Sequence, residues 1–217
     1  MCRSSYTVHT RYDAMNNLQL VVDETSRITT ISYDAAQRRM VINDANAART
    51  SFTYDAANRL TGQWNLKPDN SVIAGLNYQY DRASNRTQMQ EASGRVTTWA
   101  YDGSYQLLAE NRSSAAGGFQ ITYTYDPVGN RLAKNASGSL TTSTFDAANQ
   151  LQAAIDSGGN TTFTFDAAGN QQIEQAPSGV TTGVWNYENQ RTLALLPSGA
   201  RETMTYSADL RMVRKDP

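Results

Sequence analysis

A chain of 217 residues, 39% of them hydrophobic and 18% charged, is long enough to bury a core, and none of its apolar runs approaches the roughly eighteen residues a membrane span needs. Nineteen basic residues against twenty acidic ones leave a net charge of −1, so neither nucleic acid nor an anionic membrane is an expected partner. The single cysteine, Cys2, excludes an internal disulfide framework and a cysteine-rich metal site, and the opening MCRSSYTVHT lacks the apolar stretch of an export signal, so any such signal is expected either outside this chain or not at all.

Read in chain order, the dominant signal is self-similarity. An aromatic residue followed by Asp recurs roughly every twenty residues: Tyr12-Asp13, Tyr33-Asp34, Tyr54-Asp55, Tyr80-Asp81, Tyr101-Asp102, Tyr125-Asp126, Phe145-Asp146 and Phe165-Asp166. Two degenerate copies are placed at Tyr187 and Tyr206, which makes ten repeats and assigns residues 1–217 to one repeat domain.

Each repeat enters its aromatic with the period of a strand. Two residues before it stand Ile31, Phe52, Tyr78, Trp99, Tyr123 and Phe163, while the residue just before it is almost always polar, as with Ser32, Thr53, Gln79, Thr124, Thr144 and Thr164. Such alternation is that of a half-buried antiparallel strand. After the aromatic, the Asp carboxylate accepts backbone N–H groups and the Asn or Gly three positions on takes the left-handed conformation, closing a type I turn. Copies such as the one at Asp55 and those with Gly129 or Gly169 are expected to differ by one bulge residue. A second strand follows, closed by Ser-Gly or similar punctuation. The predicted fold is therefore all-β, a repetitive antiparallel hairpin ribbon that curls into an open or closed barrel-like shell. At ~4.8 Å per strand, twenty strands span roughly 95 Å, enough for a ring about 30 Å across.

The motifs YDPVGNRL at Tyr125, YDRASNR at Tyr80 and YDAANRL at Tyr54 resemble those of the YD-repeat family of rearrangement-hotspot (Rhs) proteins, related to insecticidal toxin complex C components and to teneurins. That resemblance, running over roughly residues 6 to 213, implies a spiralling β-strip that builds a hollow shell, and in bacterial members a shell around a C-terminal toxin. It implies as partners the rest of an Rhs-type polypeptide and its cargo, a secreted or cell-surface bacterial location, and no cofactor. Bacterial shells end in a DPxGL-type self-cleavage motif. Here Asp126-Pro127-Val128-Gly129 runs on into Asn130-Arg131, inside an ordinary repeat, so the chain is expected to be a fragment or truncated member.

No catalytic constellation stands out. The recurring aspartates share one turn position, which capping explains; His9 has no nucleophile pattern beside it, and no HExxH, paired CxxC or calcium loop is present. The chain is therefore expected not to be an enzyme and to hold no metal. Arg38, Arg59, Arg86, Arg131 and Arg191 follow the turns and are expected to bond turn carbonyls or neighbouring aspartates. Trp64, Trp99 and Trp185 are candidate ligand-facing aromatics for an alternative role, a surface module that binds carbohydrate or protein. Unpaired outer strands predict edge-to-edge self-association.

Overall fold

The computed structural model describes residues 8–216; Cys2 lies outside them. The chain divides into two units, Met1–Phe119 and Gln120–Pro217. The described part of the first contains β1 (His9–Tyr12), β2 (Leu18–Val22), β3 (Ile28–Tyr33), β4 (Arg39–Asn43), β5 (Arg49–Tyr54), β6 (Leu60–Leu66), β7 (Val72–Tyr80), β8 (Arg86–Glu91), β9 (Val96–Tyr101) and β10 (Leu107–Ser113). Each pairs antiparallel with the next. The second unit contains β11 (Phe119–Tyr125), whose first residue belongs to the first unit, then β12 (Arg131–Ala136), β13 (Ser139–Phe145), β14 (Leu151–Asp156), β15 (Gly159–Phe165), β16 (Gln171–Ala176), β17 (Gly179–Trp185), β18 (Arg191–Leu195), β19 (Arg201–Tyr206) and β20 (Met212–Asp216), again paired in chain order. The described residues form strands and turns without a helix, as the period-two pattern predicts. Neither unit closes on itself: among the described residues β1 is in register with β2 alone, and β20 with β19 alone.

Every odd-numbered strand ends on a repeat aromatic, and one turn geometry follows each. At Asp55 the backbone N–H donates to the Arg59 carbonyl at 3.0 Å and the Asn58 N–H donates back to the Asp55 carbonyl at 3.1 Å. The carboxylate Oδ1 accepts the N–H groups of Ala57 and Arg59, both at 2.9 Å, which is why Asp is preferred here. The third residue after Asp must then sit at positive φ: Asn58 at 63° in this turn, Gly129 at 99° in the turn at Asp126. The strand register shifts beside the aromatic in both, between Thr53 and Tyr54 and between Thr124 and Tyr125.

Two sequence expectations are corrected here. Tyr187 is not a repeat aromatic. β17 ends at Trp185, Asn186 occupies the Asp position, with its Oδ1 accepting from Glu188 and Gln190, and Tyr187 is a turn residue left 94% exposed. Nor do the Gly129 and Gly169 copies carry an extra residue. Tyr125 lies opposite Arg131 as Tyr54 lies opposite Leu60, both six positions apart, so the turn is the same and only the residue types have shifted along it.

Within each unit a strand touches only its chain neighbours, so each unit is a single β-layer. Ala194 and Met204 are the only buried hydrophobic residues among those described. Stability therefore rests on backbone ladders, cross-strand pairs of a few tenths to ~1 kcal/mol each, and contacts from repeat to repeat rather than on a closed core.

Candidate functional site: a stapled aromatic face

The polar tips of Tyr33, Tyr80, Tyr101, Trp185 and Tyr206 are bonded across the seam to the preceding repeat. The Tyr33 hydroxyl donates to the Leu18 carbonyl at 2.9 Å, Tyr80 to Leu60 at 2.7 Å, Tyr101 to Arg86 at 3.0 Å and Tyr206 to Arg191 at 3.0 Å. Trp185 does the same through Nε1, to the Gln171 carbonyl at 2.8 Å. Every acceptor is the fifth residue after a turn-opening Asp or Asn. Phe145 and Phe165 have no polar tip and only pack. This role was legible in principle, because a preference for Tyr or Trp over Phe at a half-buried position marks a ring that needs a partner for its O–H or N–H.

A second staple starts at the turn. Arg38 and Arg59 each donate Nε–H to Oδ2 of their own Asp34 and Asp55 at 2.7 Å. Their Nη1 then crosses to the next turn: Arg38 to the Asp55 carbonyl at 3.1 Å and Asn58 Oδ1 at 2.8 Å, Arg59 to the Asp81 carbonyl at 2.7 Å and Ser84 Oγ at 3.3 Å. The same guanidinium groups lie 4.7 Å and 4.9 Å from the ring centres of Tyr54 and Tyr80. Where Asn takes this place, its amide performs both tasks. Asn130 and Asn170 donate to their own Asp126 and Asp166 and to Asn149 and Asn189 of the next turn, the latter pair at 2.9 Å. Arg86 and Arg131 fall one residue later and stack instead on Tyr78 and Tyr123, at 4.2 Å and 5.9 Å.

These bonds hold the carboxylates in their charged form. The Arg59 backbone N–H, then its side chain, lower the Asp55 carboxyl below its ordinary value, and Asp34 is lowered in the same way by Arg38; for Asp166 the leading cause is the Asn170 amide. A carboxylate fixed as an acceptor from several donors is poorly suited to pass protons as a general acid. His9 stands exposed on β1, and no cluster of three or more metal-ligating side chains forms among the described residues.

Trp64 and Trp99, both in the first unit, lie on opposite faces of it. Trp99 and Trp185 share the face of the repeat aromatics, Trp99 opposite Glu110 on β10. Trp64 is opposite Ser51 and Gly75, which places it on the other face. There its six-membered ring covers Gly75: a Cβ on that glycine would collide with Cε3 and Cζ3. On the aromatic face of the first unit, a depression of ≈ 520 Å³ lies between successive turns, lined by Leu18, Ile31, Tyr33, Arg38, Arg39 and Tyr54.

No protein-family model and no curated protein matches the sequence. Solved structures do match the fold. A TcdB2-TccC3-TEV crystal structure aligns with 97% of this chain at 20% identity and a TM-score of 0.64, and a Photorhabdus luminescens Tc holotoxin pore structure with 97% at 21% and 0.64. A TcdB2-TccC3-Cdc42 crystal structure aligns with 87% at 18% and 0.59. In each case the chain spans only 13% of the length of the chain it matches. The protein thus has the fold of a short stretch of these toxin-complex chains, the antiparallel hairpin ribbon that its Tyr-Asp repeats predict.

Proposed function

We propose that residues 1–217 form one non-catalytic YD-repeat module, a section of an Rhs-type shell that encloses a C-terminal toxin or effector in a secreted bacterial protein. The observation that carries this reading is that each unit is a single β-layer whose aromatic face is stapled from repeat to repeat, while Ala194 and Met204 are the only buried hydrophobic residues among those described. A wall has this construction: strength runs along the layer and each face is left for something else. The TcdB2-TccC3 likeness supports the wall and leaves its contents to experiment. The test is limited proteolysis of the polypeptide encoded by this segment with its flanking DNA. A downstream domain that resists protease until the repeats are unfolded is the expected result; a domain cut freely in the native state overturns the reading.

Trp64 favours a second reading, recognition of glycan or protein by the opposite face, because its half-buried indole lies over a glycine there, and an aromatic ring on a layer face is a surface on which a sugar or side chain can stack. Glycan-array binding that disappears in Trp64→Ala would support it, and binding indifferent to that change would count against it.

A further inference from the structure

One internal seam of the first unit departs from the stapling rule. Tyr33, Tyr80 and Tyr101 donate their hydroxyls to the carbonyl of the fifth residue after the preceding turn opening. For Tyr54 that residue is Arg39, yet the Tyr54 hydroxyl bonds to none of the described residues, although Arg38 covers its ring at 4.7 Å much as Arg59 covers Tyr80. The turn opened by Asp34 is also the one turn with arginine at both its fourth and its fifth position. Arg38 is fully engaged, by Asp34 and by the next turn. Arg39 is exposed, its guanidinium lies 5.8 Å from the Phe52 ring centre, and among the described residues no carboxylate pairs with it.

Both residues line the depression of ≈ 520 Å³ on the aromatic face, a volume in the range of small-ligand sites. Leu18 and Ile31, with the rings of Tyr33 and Tyr54, make its lining partly apolar, and no carboxylate belongs to that lining. The Tyr33 hydroxyl is occupied by the Leu18 carbonyl. Asn58 presents its Oδ1 to Arg38, which leaves its Nδ2 to donate. The depression thus offers one unpaired cation and two hydrogen-bond donors beside an apolar surface. We propose that it binds a carboxylate carried on an apolar body. The planar Arg39 fork takes both carboxylate oxygens, the Tyr54 hydroxyl and the Asn58 amide donate to them, and the hydrocarbon covers Leu18 and Ile31. A bare phosphate or sulfate would satisfy the guanidinium and leave the apolar lining against water. The head-and-body chemistry has two sources, a free organic acid or an acidic side chain next to an aliphatic residue in a polypeptide. The inference rests on the chemistry of this one seam and not on the shell reading, so either can fail without the other.

The test is a heteronuclear NMR titration of the 217-residue chain with phenylacetate, with the end-blocked dipeptide acetyl-Leu-Glu-amide, and with phenylacetamide as the uncharged control. Shifts centred on Tyr33, Arg39, Tyr54 and Asn58, with a Kd on the order of 1 mM for at least one of the two acids, are expected. The acid that binds more tightly identifies the source, free or peptidic. Arg39→Gln should weaken binding about tenfold and Tyr54→Phe about fivefold. Tyr54→Phe should also leave the urea midpoint unchanged, because its hydroxyl has no bond within the fold to lose, whereas Tyr33→Phe lowers it. Phenylacetamide binding as well as phenylacetate would overturn the proposal, since the charge would then contribute nothing. So would an affinity indifferent to Arg39→Gln in a chain with unaltered circular dichroism, or the absence of shifts with either acid up to about 20 mM. A urea midpoint lowered in Tyr54→Phe as far as in Tyr33→Phe would show the hydroxyl to be bonded within the fold, and overturns the site as well.

Discussion

At Leu210 the repeat departs from its own chemistry. The third residue after a turn opening sits at positive φ; at Asn58, Asn149, Asn189, Gly129 and Gly169 it is a type that tolerates the left-handed region, whereas Gln37, Ser84, Tyr105 and Leu210, the last at φ 64°, hold it with other side chains. The cost is felt one repeat back. Asn130 and Asn170 donate across the seam to an Asn at this position, whereas the Gln190 Nε2 is buried without a partner. Leu210→Asn should remove backbone strain and offer Gln190 an acceptor, raising stability by about 1–2 kcal/mol. A urea midpoint unchanged or lowered would refute this. By the same logic Tyr33→Phe deletes the bond to the Leu18 carbonyl and should cost about 1 kcal/mol. At this scale the sequence was legible wherever a residue type has one use. It misled at Tyr187, because an aromatic was matched by type while its neighbour Asn186 imitates Asp by presenting the same Oδ1 to the same two N–H groups.

The turn and the strand pair are the elements that set register. The turns at Asp34, Asp55 and Asp166 carry carboxyls held below the ordinary value of 3.8 by hydrogen bonds of the folded state. A group lowered in this way stabilises the fold above its unfolded pKa and loses that contribution as pH falls through the folded one. The melting temperature should therefore be level from neutral pH to about 5 and fall below about pH 4. The triple variant Asp34→Asn, Asp55→Asn, Asp166→Asn keeps an Oδ1 acceptor, as Asn186 does naturally, and should show a shallower acid slope. An identical slope would mean that the turns do not carry the pH dependence. The β6–β7 pair makes a separate prediction. Gly75→Ala drives a Cβ into the Trp64 ring and should cost about 1–3 kcal/mol, a cost that vanishes in a Trp64→Ala background. Strands and turns were legible because period two and the Asp spacing are local signals. The face of Trp64 was not, since it depends on which residues lie opposite across two seams.

Over the whole chain, the sequence disclosed the repeat and its ribbon but not how little of it would be buried. Alternation shows that a strand has two unlike faces; it is silent on whether anything packs against the apolar one. A layer in which strands touch only their chain neighbours should obey nearest-neighbour rules, each repeat adding its own stability and one seam. Deleting residues 146–165 joins Phe145 to Asp166 and lets β13 meet β16 in the register it had with β14, since Phe145 opposes Leu151 and Phe165 opposes Gln171. The shortened chain should keep its β circular dichroism and unfold cooperatively with a modestly smaller denaturant slope. Deleting residues 146–155 instead removes the return strand alone. The staples then meet the wrong ends of their partners, and the following strands would have to pair parallel across a connection too short for that geometry. That chain should aggregate or lose its β signal. If both deletions behaved alike, the seams would not be carrying the fold.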